Sequence, residues 1–243
     1  AATLQLYGFC DKMTQNSKMK SAVILAAGLS SRMMDFKPLL PFGGTTVIQH
    51  TVSRMLEGGA EEIILVTGFL ATEVERIFRD SRVRFVHNRD YAKSQMFDSV
   101  CLGLAAARGD EIFLLPADLP QIDPTLLNRL SAIPAQAVYP VCHGKNGHPL
   151  LLRRSGVETV LLHDGTQGLK GALERLDTQT IETEDLGCLL DIDNPEDYQK
   201  LLDFRAESVP TEGECQELLQ FFGTSERTQA HCEAVCRVAV KLA

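Results

Sequence analysis

Residues 21–37 read SAVILAAGLSSRMMDFK, an apolar run followed at once by small, hydroxyl and cationic side chains. The run over 21–26 has the length of a strand and shows no polar alternation, which is typical of a strand covered on both faces. Ligands of open α/β sheets bind beyond the carboxyl ends of their strands. The loop that follows this run is therefore the first place to look for a binding site.

The rest of the chain repeats this rhythm of apolar runs and amphipathic segments. Strands are predicted over 21–26, 62–67, 83–86, 111–116, 137–141 and 150–152, and helices over 47–56, 72–78, 96–107, 123–130, 157–162, 169–176 and 193–204. The alternation predicts an α/β fold with a doubly wound, mostly parallel sheet. We interpret 1–18 as a leader, 19–205 as the main domain, and 206–243 as a helical extension with helices over 214–222 and 224–243.

The charge, cysteines and apolar runs of the chain indicate which kinds of partner to expect. The formal charge is -8, from 24 Lys and Arg against 32 Asp and Glu, so we expect no nucleic-acid partner. The seven cysteines are scattered, odd in number and without a CxxC pair, which predicts reduced thiols and a cytoplasmic protein. No apolar run approaches the roughly 20 residues that span a bilayer, and no secretion signal opens the chain, so no membrane partner is expected.

The loop after the first strand has the chemistry of an anion site. We expect Gly28 to permit a turn with positive φ, and Ser30 and Ser31 to add donors. Arg32 can fork onto phosphate oxygens and Lys37 adds a point charge. Neither GxGxxG nor GxxxxGK[ST] occurs, and a tight turn carrying two surface cations is the alternative.

Carboxylates follow two later segments. Asp118 comes directly after the apolar run 111–116; it could bind Mg²⁺ or cap the next helix, although Asp123 offers itself as that cap. Asp191 and Asp193 alternate and therefore share a face in extended chain. We favour Asp193 as a metal ligand with Asp191 second; alternatively Asp193 caps the helix that follows, a task that Asn194 could also perform.

These segments resemble a known family. Leu25-Ala26-Ala27-Gly28-x-Ser30-Ser31-Arg32-Met33, followed by Lys37-Pro38-Leu39-Leu40-Pro41-Phe42, is similar to the opening signature of MobA/MocA-like nucleotidyltransferases, which include molybdenum cofactor cytidylyltransferases. The resemblance runs from about residue 19 to 204. It implies a Rossmann-like, GT-A-like fold and a Mg²⁺-dependent nucleotidyltransferase that binds an NTP and a small phosphorylated acceptor.

The resemblance also implies roles for individual residues. Arg32, Lys37 and Asp118 would be catalytic, and Asp118, Asp193 and Asp191 would bind Mg²⁺. Gly147, His148 and Pro149 would shape the acceptor pocket. The nucleotide would contact Leu25, Ala26, Ala27, Gly28, Ser30, Ser31, Arg32, Lys37, Asn88, Ser99, Pro116 and Ala117.

The sequence of residues 25–28 indicates which nucleotide and acceptor to expect. Leu-Ala-Ala-Gly favours CTP, so the resemblance implies cytidylyl transfer to molybdopterin with release of pyrophosphate. Met34 and Gln95 stand where the family usually has Gly. Two alternatives stay open: transfer to another acceptor such as a sugar phosphate, and a nucleotide-sensing module without turnover.

The last thirty residues lie outside this pattern. Residues 231–243 resemble the first helix of HD-type phosphohydrolase domains, whose first His is a metal ligand, and His231 matches it. The resemblance implies the start of an HD domain whose other ligands this sequence lacks. A zinc site of His231, Cys232 and Cys236 is disfavoured because three ligands on adjacent turns do not close a tetrahedral site. The apolar stripe of this helix favours a homo-oligomer.

Overall fold

The computed structural model describes residues 18–28, 35–207 and 224–242. The strands are β1 Lys20–Ala26, β2 Pro41–Phe42, β3 Thr45–Thr46, β4 Glu62–Thr67, β5 Val83–His87, β6 Glu111–Pro116, β7 Ala137–Cys142, β8 Lys145–Asn146, β9 Leu150–Arg153 and β10 Thr178–Glu182. The helices are α1 Val47–Glu57, α2 Ala71–Arg76, α3 Met96–Ala106, α4 Thr125–Ser131, α5 Arg154–Leu161, α6 Gly168–Leu173, α7 Pro195–Glu207 and α8 Glu226–Leu242. Short 3-10 helices span Lys37–Leu39 and Leu186–Cys188.

Within the described residues, eight strands form one mixed sheet in the order β10-β7-β9-β6-β1-β4-β5, with β8 paired to β7. β1 lies between β6 and β4 and runs parallel to both, and β5 runs parallel to β4. The chain therefore builds β4 and β5 on one side of β1 and returns to add β6 on the other. This reversal of direction at β1 opens a crevice beyond the carboxyl ends of β1 and β6.

Helices cover both faces of the sheet, which confirms the predicted α/β, doubly wound fold. On one face Ala22 and Ile24 of β1 pack with Ile48 and Met55 of α1 and with Leu127 of α4. The other face carries a second apolar cluster. In it Val23 packs with Val100 and Leu104 of α3, with Val157 of α5 and with Ala172 of α6. Because successive β1 side chains point to opposite faces, one apolar strand serves both clusters.

Local signals set the helix ends. The side chain of Thr46 caps α1 by accepting from Gln49 N at 3.4 Å, and the Gln49 side chain accepts from Thr46 N at 3.1 Å. Asp123 accepts from Thr125 N at 2.9 Å at the start of α4. Asn194 accepts from Asp197 N at 2.9 Å at the start of α7. Both capping tasks therefore fall to residues other than Asp118 and Asp193.

One predicted strand, β9, runs in an unexpected direction, and three further pieces of strand, β10, β8 and the β2–β3 hairpin, were not predicted. β9 runs antiparallel to β6 and to β7, so the sheet is parallel in its centre and mixed beyond β6. The edge strand β10 is mostly exposed and carries the polar sequence TQTIE, which has no apolar run to reveal it. β8 and the β2–β3 hairpin have two residues in each strand, too few for a pattern.

The chain divides into two compact units, residues 1–202 and 203–243. In the first, Phe42 and Val47 pack with Ile192 and Leu201 in a small third cluster that attaches the start of α7 to the β2–β3 hairpin. In the second, α8 is helical as expected, and His231 and Cys232 are exposed. Most of the leader that the sequence predicts over 1–18, and the helix expected over 214–222, lie outside the described residues. No helix in the described ranges is long and apolar enough to cross a bilayer.

Candidate active site

The crevice beyond β1 and β6 contains a cavity of about 280 Å³. Its floor is the ends of the two central strands, where Ala117 N donates to Leu25 O at 3.0 Å. The sides come from the 3-10 helix at Lys37 and from the start of α3. The described residues that line it are Leu25, Ala26, Ala27, Gly28, Lys37, Pro38, Tyr91, Ser94, Gln95, Met96, Ser99, Pro116, Ala117 and Asp118. Most of the nucleotide-binding residues expected from the sequence therefore lie together.

Lys37 joins two acidic segments that are far apart in the sequence. Its Nζ lies 3.4 Å from Asp118 Oδ2 and 3.0 Å from Asp193 Oδ1. The side chains of Lys37 and Asp118 are 14% and 15% exposed, and that of Asp193 is 49% exposed. The end of β6, the residues before α7 and the 3-10 helix thus meet at one ammonium group beside the cavity.

The acidic groups influence one another. Burial raises the pKa of Asp118 above its ordinary value of 3.8, while the Lys37 charge opposes the shift and the Asp191 charge adds to it. Burial also raises the pKa of Asp191, and the neighbouring Asp193 charge adds to that shift. Desolvation is the main cause of both shifts, and the charge of a neighbouring carboxylate adds to each. A cation bound beside these acids would favour their charged forms.

Two side chains of α1 hold the segment that carries Asp118. The buried hydroxyl of Thr51 shares its proton between Val47 O at 3.0 Å and Ala117 O at 3.1 Å. His50 Nδ1 lies 3.1 Å from Pro120 O. These contacts fasten the backbone on both sides of Asp118 to the helix that follows the β2–β3 hairpin. The sequence carried no signal for them, because both residues look like ordinary members of an amphipathic helix.

Asn88 is placed differently from the expectation. It is 4% exposed and is absent from the lining of the cavity. Its Nδ2 donates to Ser94 Oγ and to Ser99 Oγ, both at 2.9 Å, and its Oδ1 accepts from Asp90 N at 3.1 Å. Both ends of the Asn88 amide therefore form hydrogen bonds within the protein, and the amide orients two hydroxyls that line the cavity.

The loop after β1 is described only in part. Ser30, Ser31, Arg32 and Met34 lie outside the described residues. The expectation that Gly28 adopts a positive φ is wrong, since its φ is outside that region. Among the residues that the structure describes, no atom lies within 4 Å of where a Gly28 Cβ would stand.

A different glycine is required by close packing. A Cβ on Gly68, just after β4, would lie 2.7 Å from Ala27 O and 2.7 Å from Tyr91 Cβ. Backbone and ring therefore approach too closely for any side chain, and Gly68 allows Tyr91 to reach the lining of the cavity. Nothing in the local pattern singled out this glycine, because the contact depends on the tertiary fold.

Gly147, His148 and Pro149 do not line the cavity. They precede β9, whose Leu150 pairs with Leu114 of β6, so they lie beside the end of β6. His148 N donates to Cys188 O at 2.9 Å, and a Gly147 Cβ would lie 2.6 Å from Cys188 Sγ. Burial lowers the pKa of His148, so the imidazole is neutral near pH 7 and supplies no charge for an acceptor phosphate.

Within the described residues, no group of three or more His, Cys, Asp and Glu side chains forms a preformed metal site. Asp118 and Asp193 nevertheless direct oxygens at one cationic group. Mg²⁺ is commonly held by one or two carboxylates together with substrate phosphates and water, so a complete protein cage is not required.

Comparison with known proteins agrees with this geometry. The family model described as a MobA-like NTP transferase domain matches residues 22–180. The molybdenum cofactor cytidylyltransferase of Escherichia coli (strain K12) is 30% identical over 178 residues, covering 72% of this chain and 92% of that protein. The match therefore spans nearly the whole length of that protein.

Solved structures give the same result. A nucleotidyl transferase from Methanothermobacter thermautotroptrophicus superposes with a TM-score of 0.66 and 29% identity, covering 76% of this chain and 97% of that one. The manganese complex of Rv0371c from Mycobacterium tuberculosis H37Rv superposes with a TM-score of 0.62 and 24% identity, covering 76% and 99%. The chain therefore belongs to the family of MobA-like NTP transferase domains and is a nucleotidyltransferase.

Proposed function

We propose that this chain transfers a cytidylyl group from CTP to molybdopterin cofactor, depends on Mg²⁺ and releases pyrophosphate. The observation that carries the proposal is the convergence of Lys37, Asp118 and Asp193 beside the cavity at the carboxyl end of β1. The 30% identity to the E. coli molybdenum cofactor cytidylyltransferase supports the choice of substrates. The Leu-Ala-Ala-Gly form of residues 25–28 supports CTP.

The donors present suit a hard divalent cation. Asp118 and Asp193 would hold the ion, with Asp191 close enough to influence the charge of Asp118. Carboxylate oxygens are the ligands that Mg²⁺ prefers. When bound, the ion neutralises phosphate charge as the transition state develops. Manganese bound to the Rv0371c relative is consistent with a divalent site of this kind.

The residues of the chain would act chiefly by positioning and by charge. Leu25 to Gly28 would offer backbone groups to the nucleotide, and Ser99, oriented by Asn88, would offer a hydroxyl, since Leu25 to Gly28 and Ser99 all line the cavity. Lys37 and Arg32 would stabilise the leaving pyrophosphate. In-line attack on the α-phosphate needs this alignment more than it needs a nucleophilic side chain.

The acceptor phosphate requires no general base. A phosphate monoester has a second pKa near 6 and is already mostly dianionic at pH 7. His148 stays neutral because burial disfavours its charged form, so it serves as a polar or packing group at most. Gln95, which stands where the family usually has Gly, lines the cavity and would influence acceptor choice.

Pyrophosphate release tests the proposal. Purified protein is assayed with Mg²⁺ and each of the four NTPs, in the presence of molybdopterin cofactor, of a sugar phosphate or another phosphorylated alcohol, or of no acceptor. We expect release with CTP that depends on the cofactor. Equal release from all four NTPs would contradict the choice of CTP, and release only with a sugar phosphate or another phosphorylated alcohol would move the acceptor to that class.

A further inference from the structure

The Lys37 ammonium contacts two carboxylates beside the cavity. Its Nζ contacts Asp118 Oδ2 at 3.4 Å and Asp193 Oδ1 at 3.0 Å, so one positive charge holds two carboxylates together. The backbone beneath it is fixed, since Lys37 opens a 3-10 helix in which Pro38 is buried and Leu39 packs on the main core. Movement of Lys37 is therefore confined to its flexible side chain.

We propose that Lys37 and a divalent cation compete for Asp118 and Asp193, so that nucleotide and metal bind cooperatively. In the unliganded protein Lys37 keeps the two carboxylates close. As the site fills, the ammonium leaves them for the triphosphate and the metal takes its place. This inference rests on the proposed function, because it assumes that the acids are the metal ligands.

Distance supports the exchange. Oxygen ligates Mg²⁺ at about 2.0–2.1 Å, much closer than the ammonium contacts, so the same carboxylate oxygens must close further around a metal. An ammonium group left between them would stand in the way. The side chain of Lys37 must then turn elsewhere, and the nearest strong anion in a filled site is the triphosphate.

The charge of the site also supports the replacement of Lys37 by a metal ion. The Asp191 charge also acts on Asp118 and Lys37 and adds to the negative charge of the site. Removing the lysine takes away the ammonium that Asp118 and Asp193 contact, so their charge is left for a divalent cation or a proton to offset. A variant without the ammonium should therefore bind a divalent ion more tightly when nucleotide is absent, the opposite of what loss of an ordinary binding residue does.

The same competition also predicts how nucleotide binding should change the affinity for metal. In the native protein a CTP analogue draws Lys37 away from the acids, so it should strengthen metal binding by more than its own phosphate oxygens provide. Without Lys37 this part of the coupling is lost. Coupling of this kind is reciprocal, since each ligand changes the affinity for the other by the same factor.

Direct metal binding gives the test. Mn²⁺ affinity is measured by electron paramagnetic resonance for the native chain and for Lys37→Met, with and without α,β-methylene-CTP. Lys20→Met is the matched control: it removes the same charge at the opposite end of β1, where Lys20 Nζ donates to Asn128 Oδ1 at 2.6 Å. We expect Lys37→Met to raise Mn²⁺ affinity by roughly 5-fold or more without nucleotide and to reduce the coupling factor, and Lys20→Met to change neither.

Unchanged or weaker Mn²⁺ binding by Lys37→Met in the absence of nucleotide would overturn the inference. Lys37→Gln provides a second variant, and a thermal melt checks that each is folded. Failure of the proposed function looks different: native chain that binds Mn²⁺ yet releases no pyrophosphate from any NTP rejects the transfer while leaving the competition intact. Asp118→Asn that binds Mn²⁺ normally rejects the metal site itself and the competition with it.

Discussion

At the scale of single residues, three aspartates near one lysine have distinct surroundings. Asp118 is mostly buried and Asp193 half-exposed, and both contact Lys37. Asp191 makes no such contact in the described structure and acts on its neighbours through its charge. The aspartates are therefore not interchangeable, and substitution of each should have a different effect.

Asp118→Asn tests the most buried of them. We expect the rate of pyrophosphate release from CTP to fall by roughly two to three orders of magnitude, because a neutral amide replaces a charged metal ligand. The melting temperature should stay the same or rise, since burial already disfavours the Asp118 charge. Asp177→Asn, an exposed acid far along the chain, is the control and should keep full activity. Normal turnover by Asp118→Asn would remove Asp118 from the catalytic machinery.

Asp193 and Asn194 are adjacent residues whose substitutions should have opposite effects on stability and metal binding. Asn194 caps α7 through Asp197 N, whereas Asp193 contacts Lys37. Asn194→Ala should therefore lower the free energy of unfolding by about 1 kcal/mol and leave metal affinity nearly unchanged. Asp193→Asn should do the reverse, which denaturant titration and Mn²⁺ binding can separate. If Asp193→Asn destabilised the fold and kept metal affinity, Asp193 would be a structural residue only.

At the scale of elements, α1 both packs on the sheet and holds the chain around Asp118. Its buried face provides apolar packing through Ile48, Val52 and Met55, and the same helix directs Thr51 and His50 at the chain around Asp118. One helix thus couples core packing to the placement of a site residue.

Thr51→Val keeps the shape of the side chain and removes the hydroxyl that donates to Ala117 O at 3.1 Å. We expect a stability loss of about 1–3 kcal/mol from the unsatisfied carbonyl. Mn²⁺ affinity should fall by roughly 10–100-fold, because groups behind a metal ligand fix its orientation.

Ser53→Ala on the exposed side of α1 removes only a hydrogen bond to Glu57 and is the control. A Thr51→Val variant that loses stability but keeps native Mn²⁺ affinity would show that the hydroxyl supports the helix without positioning Asp118.

At the scale of the whole molecule, a buried acid makes stability depend on pH. Glu62 at the start of β4 is 6% exposed and pairs with Arg84. Burial alone would raise its pKa, but hydrogen bonds from Arg108 N, Ser21 Oγ and Arg84 together hold the pKa below its ordinary value of 4.5. Because the folded-state pKa is depressed, this contribution to stability is present above pH 4.5 and is lost as pH falls through the folded pKa.

Glu62→Gln should therefore lower the free energy of unfolding by about 1–3 kcal/mol at pH 7, where the native carboxylate is charged. The difference between the two proteins should shrink as pH falls below 4.5, which urea denaturation at several pH values can follow. A difference that stays constant down to pH 3 would mean that the Glu62 charge does not contribute.

Much of this organisation could be predicted from the sequence. The bounds 62–67 and 111–116 match β4 and β6, because long apolar runs between loops have few alternative structures. Lys37, Asp118 and Asp193 could be expected to meet, since each belongs to a motif of one family and two of their segments follow central strands.

Other features needed the three-dimensional structure. The antiparallel direction of β9 is not encoded in its short apolar run, and β10 is too polar to be recognised. Thr51 and Gly68 matter only because distant segments pack on them. The local pattern around Gly28 suggested a turn with positive φ, which the structure does not show.

A crystal structure of the chain soaked with Mg²⁺ and α,β-methylene-CTP is the most direct test of the account. We expect the cation between the carboxylates that follow β6 and precede α7, the triphosphate beside Gly28, and the Lys37 ammonium turned onto phosphate. A nucleotide bound elsewhere, or a metal held away from both carboxylates while Lys37 keeps its present ion pairs, would contradict it.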